Sequence, residues 1–238
     1  MRTQLWLAIS LSLGLAACAT MKAPQTGAPV AGHPPVATSP LITGPASFEF
    51  EDTAIGAPPQ GWLAATTNGG GAVGTWEVMQ GPQVPSRTHV VGLVSPNHET
   101  PEAFNVLWTD RVSFLNGRIT VDVLPRSGER DQGGGPMWRV KDADNYYVCR
   151  WNPLEKNFRL YVVVNGQRRQ LASANTDLPA GQWHRIVVTQ TGEYIRCTLG
   201  GQTTIEATDN SLPDGGGVGL WTKADALTAF DGLIVSPE

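Results

Sequence analysis

Charged residues are scarce in this chain. They make up 16% of it, the net charge is −4 and no block of Lys or Arg stands out, so the electrostatic footprint of a nucleic-acid binder is missing. DNA and RNA are not expected partners. Histidine is equally thin, and His33, His89, His98 and His184 show no zinc-ligand spacing. His184, after Trp183, is expected to decorate a strand. No Gly-x-Ser-x-Gly nucleophile elbow occurs. No window longer than a few residues carries a capped period of 3.6, which leaves room for one or two short helical turns at most. Beyond the first residues, no apolar run approaches the length of a membrane span. Two near-matches also fail. Gly69-Gly70-Gly71-Ala72-Val73-Gly74 has dinucleotide-fingerprint spacing, but Thr75 to Met79 after it reads as a strand, where a helix must hold the pyrophosphate. Asp142-x-Asp144 opens like a calcium loop, yet Tyr147 replaces the turn glycine and Pro153 the bidentate Glu. No cofactor and no metal site is expected from the motifs.

What the chain does have begins at its first residues. Arg2 precedes an apolar run from Leu5 to Leu15, and the run closes on Leu15-Ala16-Ala17-Cys18. The run is too short to span a bilayer and has the flanks of a secretion signal. It resembles the lipobox of bacterial lipoproteins, which implies cleavage before Cys18 and acylation of Cys18 as the mature first residue. Stable anchoring takes more than one acyl chain, a condition that a diacylated and N-acylated cysteine meets. Ala19 stands where inner-membrane retention expects Asp, so the resemblance implies an outer-membrane lipoprotein of the cell envelope, held to the membrane through its lipid alone.

Residues 19–46 are rich in Pro, Ala, Thr and Gly, with little to bury, and are expected to form a disordered or semi-extended tether. The domain is expected over 47–238. There, short β-rich runs alternate with Gly, Asn, Asp and Pro clusters at the spacing of an antiparallel sandwich. Asn165-Gly166 after Tyr161-Val162-Val163-Val164 signals a tight hairpin, because both residues tolerate positive φ, and Gly200-Gly201 does the same later. No tandem repeat is present.

Alternation assigns the faces of two strands. With Asp142 to Asn145 as a four-residue loop, Trp138, Val140, Tyr147, Cys149 and Trp151 share one apolar side, the expected core. The opposite side carries Arg139, Tyr146, Val148 and Arg150, and the next strand adds Arg159 and Tyr161. Aromatic plates beside fork-like guanidinium donors suit sugar rings and carboxylates. The same arginines also suit a plain solvated sheet face, lying over apolar neighbours and blunting aggregation. Trp221, Lys223 and Asp225 end a strand that leads into a loop, a common place for binding groups, although a single sandwich Trp also packs cores. Cys149 and Cys197 both fall on apolar faces. On opposite sheets, about 10 Å apart, they exceed the ~7 Å Cα limit of a disulfide, and two buried free thiols are expected.

Three stretches, Asp131 to Val148 with Trp138-Arg139-Val140-Lys141-Asp142 inside it, Leu178-Pro179-Ala180-Gly181-Gln182-Trp183-His184, and Gly219-Leu220-Trp221-Thr222-Lys223-Ala224-Asp225, resemble concanavalin A-like sandwiches of the laminin G and family 16 glucanase type. Bacterial relatives of that kind are often labelled 3-keto-disaccharide hydrolase domains. The resemblance covers nearly all of Phe48 to Val235 and implies an all-β fold, an antiparallel two-sheet jelly-roll sandwich. It implies a glycan or another polar envelope polymer as partner. The ligand-binding candidates are Arg139, Tyr146, Arg150, Arg159, Tyr161, Trp221, Lys223 and Asp225. Laminin-like modules bind calcium in other geometries, for which no motif stands here. Retaining glucanases of this fold carry Glu, Asp and Glu at alternate positions of one strand. The nearest stretch, Phe48-Glu49-Phe50-Glu51-Asp52, lacks the third carboxylate and is expected to be an edge strand pairing near Phe230 to Val235. The expected function is therefore non-catalytic glycan binding at the envelope. A glycoside hydrolase or lyase and a structural module without ligand stand as the alternatives, since this fold hosts all three.

Overall fold

The computed structural model describes residues 41–81, 88–99 and 102–238. The signal-like run, Cys18 and the tether up to residue 40 lie outside them. The described residues form one compact unit, with fifteen strands and a single 3₁₀ turn, Thr67–Gly69. In chain order the strands are β1 (Ala46–Phe48), β2 (Leu63–Thr66), β3 (Thr75–Gln80), β4 (His89–Ser95), β5 (Phe104–Phe114), β6 (Gly117–Ser127), β7 (Gly135–Asp142) and β8 (Asn145–Asn152). They continue as β9 (Asn157–Val164), β10 (Gln167–Asn175), β11 (His184–Thr191), β12 (Tyr194–Leu199), β13 (Thr203–Thr208), β14 (Gly216–Lys223) and β15 (Leu227–Pro237).

These strands form two antiparallel sheets. One has eight strands, in the order β13-β12-β11-β6-β15-β4-β3 with β1 also paired to β15, and the other has seven, in the order β10-β9-β8-β7-β14-β5-β2. The fold is the expected all-β two-sheet jelly-roll sandwich. Apolar residues from the inner faces of both sheets fill the space between them, among them Val121, Trp138, Tyr147, Cys149, Trp151, Leu160, Val188, Cys197 and Phe230. The expected pairing of the first strand with the C-terminal segment is present: Ala46 pairs with Val235 and Phe48 with Leu233. That strand ends at Phe48, so Glu49 and Glu51 lie beyond it. Thr75–Gln80 is a strand, consistent with the failed dinucleotide fingerprint.

The Asn165-Gly166 hairpin is a two-residue turn with φ of 49° and 72°, the left-handed pair whose twist matches the flanking strands. Gly166 also packs against the Asn68 side chain, which a Cβ there would displace. Cys149 on β8 and Cys197 on β12 face each other from opposite sheets as buried free thiols. Burial, followed by the neighbouring Cys197 thiol, pushes the Cys149 thiol well above its ordinary value.

The β7–β8 hairpin departs from the sequence expectation. Its turn has two residues, Ala143 and Asp144, because Asp142 pairs with Asn145. Further along, Trp138 pairs with Tyr147, so three β7 residues stand opposite one β8 residue. The irregularity centres on Arg139, whose φ of 48° lies in the left-handed region and turns the strand on itself. A shift of two residues preserves parity for Trp138, Tyr147, Cys149 and Trp151, which do share the core. Val140 is moved to the other face of the sheet, where it joins a second apolar cluster. Arg139 leaves the outer face altogether.

Candidate ligand-binding face

The outer face of the seven-stranded sheet is built by register. Arg150 on β8 pairs with Arg159 on β9, Val148 with Tyr161 and Tyr146 with Val163. The tight Asn165-Gly166 turn then sets Arg168 of β10 opposite Val163. Alternation puts Tyr146, Val148, Arg150, Arg159, Tyr161, Val163 and Arg168 on the side facing away from the shared core.

That face is deeply curved. Arg168 on edge strand β10 lies over the ring of Tyr161 at 4.5 Å and over the ring of Phe104 at 4.8 Å, yet Phe104 belongs to β5, five strands away. A flat sheet would hold those two strands about 24 Å apart at the usual spacing. The bottom of the curve is filled by a second apolar cluster containing Phe104, Val106, Met137, Tyr146, Val148, Tyr161, Val163 and Trp221. The 3₁₀ turn caps it: Thr67 Oγ1 and the Tyr146 hydroxyl are 2.8 Å apart, the Trp221 indole N–H donates to the same hydroxyl at 3.2 Å, and the Asn68 N–H donates to Asp144. Burial, the largest influence, raises the Tyr146 phenol far above its ordinary value and outweighs these hydrogen bonds. Tyr146 and Trp221 are thus buried beneath the surface.

Solvent reaches the face at Arg159, Arg168 and Glu155, while Arg150 beneath them is 1% exposed. Glu155 Oε2 accepts from Arg150 Nη2 at 2.8 Å and from Asn157 Nδ2 at 3.0 Å, and Arg159 Nη1 stands 3.4 Å away. Burial works against ionising this carboxyl, but the Arg150 and Asn157 hydrogen bonds and the two positive charges outweigh it and hold its pKa at about 2. Glu155 is therefore an ionised anchor and a poor proton donor at neutral pH. Arg159 Nη1 also stands 3.4 Å from the Tyr161 hydroxyl. Three guanidinium groups surround Tyr161, with the Glu155 carboxylate among them and the buried Asp131 carboxylate near enough to act on Arg150 and Arg168. Arg150 Nε, Arg159 Nε and Arg168 Nη1 have no acceptor among the described residues. Burial, with the nearby Arg150 charge acting in the same direction, depresses the Arg168 pKa. An added anion would relieve that strain.

The remaining candidates have other tasks. Arg139 enters the end of the sandwich, where its guanidinium donates to Leu115 O twice, at 2.8 and 3.0 Å, and to Leu212 O and Gly192 O at 2.8 Å each, with the Tyr147 ring 6.0 Å away. Its place on the ligand face is corrected accordingly, the cause being the left-handed turn at Arg139 itself. Lys223 pairs with buried Asp131 at 3.3 Å, and Asp225 accepts the backbone N–H groups of Glu129, Arg130 and Asp131. Together with Asn152, which donates to Asp131, they fasten the β6–β7 loop. Arg168 was the residue that alternation alone missed, although the Asn165-Gly166 turn carried the signal: counting outward from it pairs Arg168 with Val163. Among the described residues, no group of three or more His, Cys, Asp or Glu is arranged to hold a metal ion.

No protein-family model matches the chain, and no curated protein matches it. Solved structures do share its fold. A carbohydrate-binding module, CBM66, from Bacillus subtilis is similar with a TM-score of 0.56 and 21% identity, over 74% of this chain and 96% of the module. A native glycosidic hydrolase matches with a TM-score of 0.52 and 12% identity, over 82% and 96% of the two chains. The Crh5 transglycosylase, solved in complex with NAG, matches with a TM-score of 0.51 and 10% identity, over 83% and 86%. Identities this low speak to the jelly-roll sandwich alone.

Proposed function

We propose that this protein is an envelope glycan-binding module whose outer sheet face takes acidic saccharides. The observation that carries this reading is the arrangement around Tyr161: Arg159 and Arg168 reach solvent, Arg150 supports them from below, and of the two carboxylates that offset them Glu155 is exposed and Asp131 is buried. Guanidinium planes meet carboxylates with charge-assisted, often bidentate bonds, the strong class of hydrogen bond. The shared fold of a carbohydrate-binding module and a NAG-bound transglycosylase supports a glycan as the ligand class.

The test compares oligouronates with neutral oligosaccharides by calorimetric titration of the chain from residue 19. Uronates are expected to bind more tightly, with affinity falling as salt rises because the outer arginines are solvent-exposed. Arg168→Ala is expected to weaken uronate binding about tenfold or more, the worth of one hydrogen bond to a charged group. Equal binding of both sugar classes, or binding indifferent to Arg168→Ala and Arg159→Ala, refutes the arginine face as the site.

In the same reading Cys18 carries the lipid and the domain hangs from the outer membrane. The Leu15-Ala16-Ala17-Cys18 sequence after the apolar run supports this. Cys18→Ala is expected to move the protein from the membrane to the soluble periplasmic fraction. An unmodified mature N-terminus by mass spectrometry, with fractionation unaltered by the substitution, defeats this part of the proposal.

A further inference from the structure

Away from the arginine face, a cleft opens between residues 47–53, the approach to β2 and the middle of β5. Its volume is about 380 Å³, and Phe48, Glu49, Phe50, Gln60, Trp62 and Arg111 help to line it. Concave sites of a few hundred Å³ with an apolar wall and a few convergent polar groups are the usual small-ligand sites.

Several features fix its walls. Half-buried Trp62 meets Phe48 edge-on, with ring centroids 5.1 Å apart and planes at 81°, and lies 5.7 Å from Phe50, so the indole plane is set by its neighbours. Phe50 itself holds a φ of 60°, in the left-handed region that bulky residues rarely enter. One lip is tied down by Glu51, which accepts the N–H of Thr88, its hydroxyl and the N–H of His89. On the opposite wall the Arg111 stem lies against Gly61, where φ is 77° and a Cβ would come within 2.9 Å of Arg111 Cδ. The Thr109 hydroxyl donates to the Gly61 carbonyl at 2.8 Å, and Thr109 Oγ1 in turn accepts the Arg111 backbone N–H at 3.2 Å. Arg111 Nε is buried there without an acceptor.

We propose that this cleft is a second saccharide site, built for one uncharged hexopyranose. The electron-rich indole face suits the C–H groups of a sugar ring. Carboxylates accept hydroxyl protons in charge-assisted bonds, while the Gln60 amide and Arg111 guanidinium donate to ring and hydroxyl oxygens. Glu51 and Asp52 alone outnumber Arg111 among the described lining residues, so a sugar carboxylate meets repulsion here. The charge preference is opposite to that of the arginine face, shares no residue with it, and stands whether or not that face binds uronates.

The probe is the set of methyl glycosides of glucose, galactose and mannose, with methyl glucuronoside as the charged counterpart, titrated into the ¹⁵N-labelled chain from residue 19. The readout is the Trp62 indole N–H resonance, assigned among the seven tryptophans that follow residue 19 by its loss in Trp62→Phe. At least one uncharged glycoside is expected to shift that resonance saturably, and the glucuronoside is not. Gln60 is exposed, so Gln60→Ala keeps the fold and is expected to weaken binding about fivefold, the worth of an ordinary hydrogen bond. Arg168→Ala is expected to leave the titration unchanged, which separates this site from the arginine face. A Trp62 resonance unmoved by all three uncharged glycosides, moved equally by the glucuronoside, or titrating identically in Gln60→Ala overturns the proposal.

Discussion

Trp138→Ala is expected to lower the unfolding free energy by about 3 to 5 kcal/mol, the usual cost of truncating a large aromatic in a packed interior. Trp138 is fully buried between the sheets, stacks on Tyr147 with centroids 5.7 Å apart and planes at 21°, and donates its indole N–H to Gln190 Oε1 at 2.6 Å. Gln190 comes from β11 of the opposite sheet, so the truncation opens a cavity and also strips a partner from a fully buried amide. Both terms act in the same direction. Tyr147→Ala removes the other half of the stack together with a hydroxyl that donates to Asp209 Oδ1 at 2.7 Å, and is expected to cost a similar amount. Denaturant midpoints that hardly move for either variant, at an unchanged slope, would contradict the assigned core.

Arg139→Met is expected to cost about 1 to 3 kcal/mol, because it leaves the buried Leu212 carbonyl without its donor, while the part-buried Leu115 and Gly192 carbonyls turn to water. One guanidinium serves the carbonyls of Leu115, Gly192 and Leu212, which lie outside β7 and reach its fork from different directions. Arg139→Lys should restore little, since an ammonium is a point donor without the fork geometry. The variant should bind acidic saccharides like the parent once folded. Unchanged stability with lost uronate binding would instead make Arg139 a ligand group.

Much of the fold was legible in the chain. The alternation around Tyr147, Cys149 and Trp151 pointed to the core face, and Asn165-Gly166 announced its hairpin, because both depend on local rules of period and φ. The β5 strand was harder to see: Phe104-Asn105-Val106-Leu107-Trp108 is apolar on nearly every residue, since both of its faces are covered and no alternation survives. Trp221, for which the sequence left a ligand role and a core role open, takes the core role, lying on a strand buried on both sides. For the candidate face, Arg150, Arg159 and Tyr161 were visible from parity. Arg139 was misplaced because a non-glycine residue in the left-handed region has no sequence signature strong enough to mark a bulge. The edge cleft had no motif of its own, because Glu49, Trp62 and Arg111 are brought together by pairings distant in the chain: β1 with β15, β2 with β5, and Ile42 with the β5 residues at Arg111 and Val112.

The position of β15 in the eight-stranded sheet bears on when the molecule can assemble. This strand pairs with β6, β4 and β1, and a ribosome delivers it after all of them. Until residues 227–237 are made, β1 and the β3–β4 hairpin have no neighbour through which to join β6, β11, β12 and β13. Nor can the contact between Ala46 and Val235 form early, and pairings so distant in the chain belong to the slow end of folding. Nascent chains of this topology therefore stay open until β15 emerges, a state in which chaperones can still handle them.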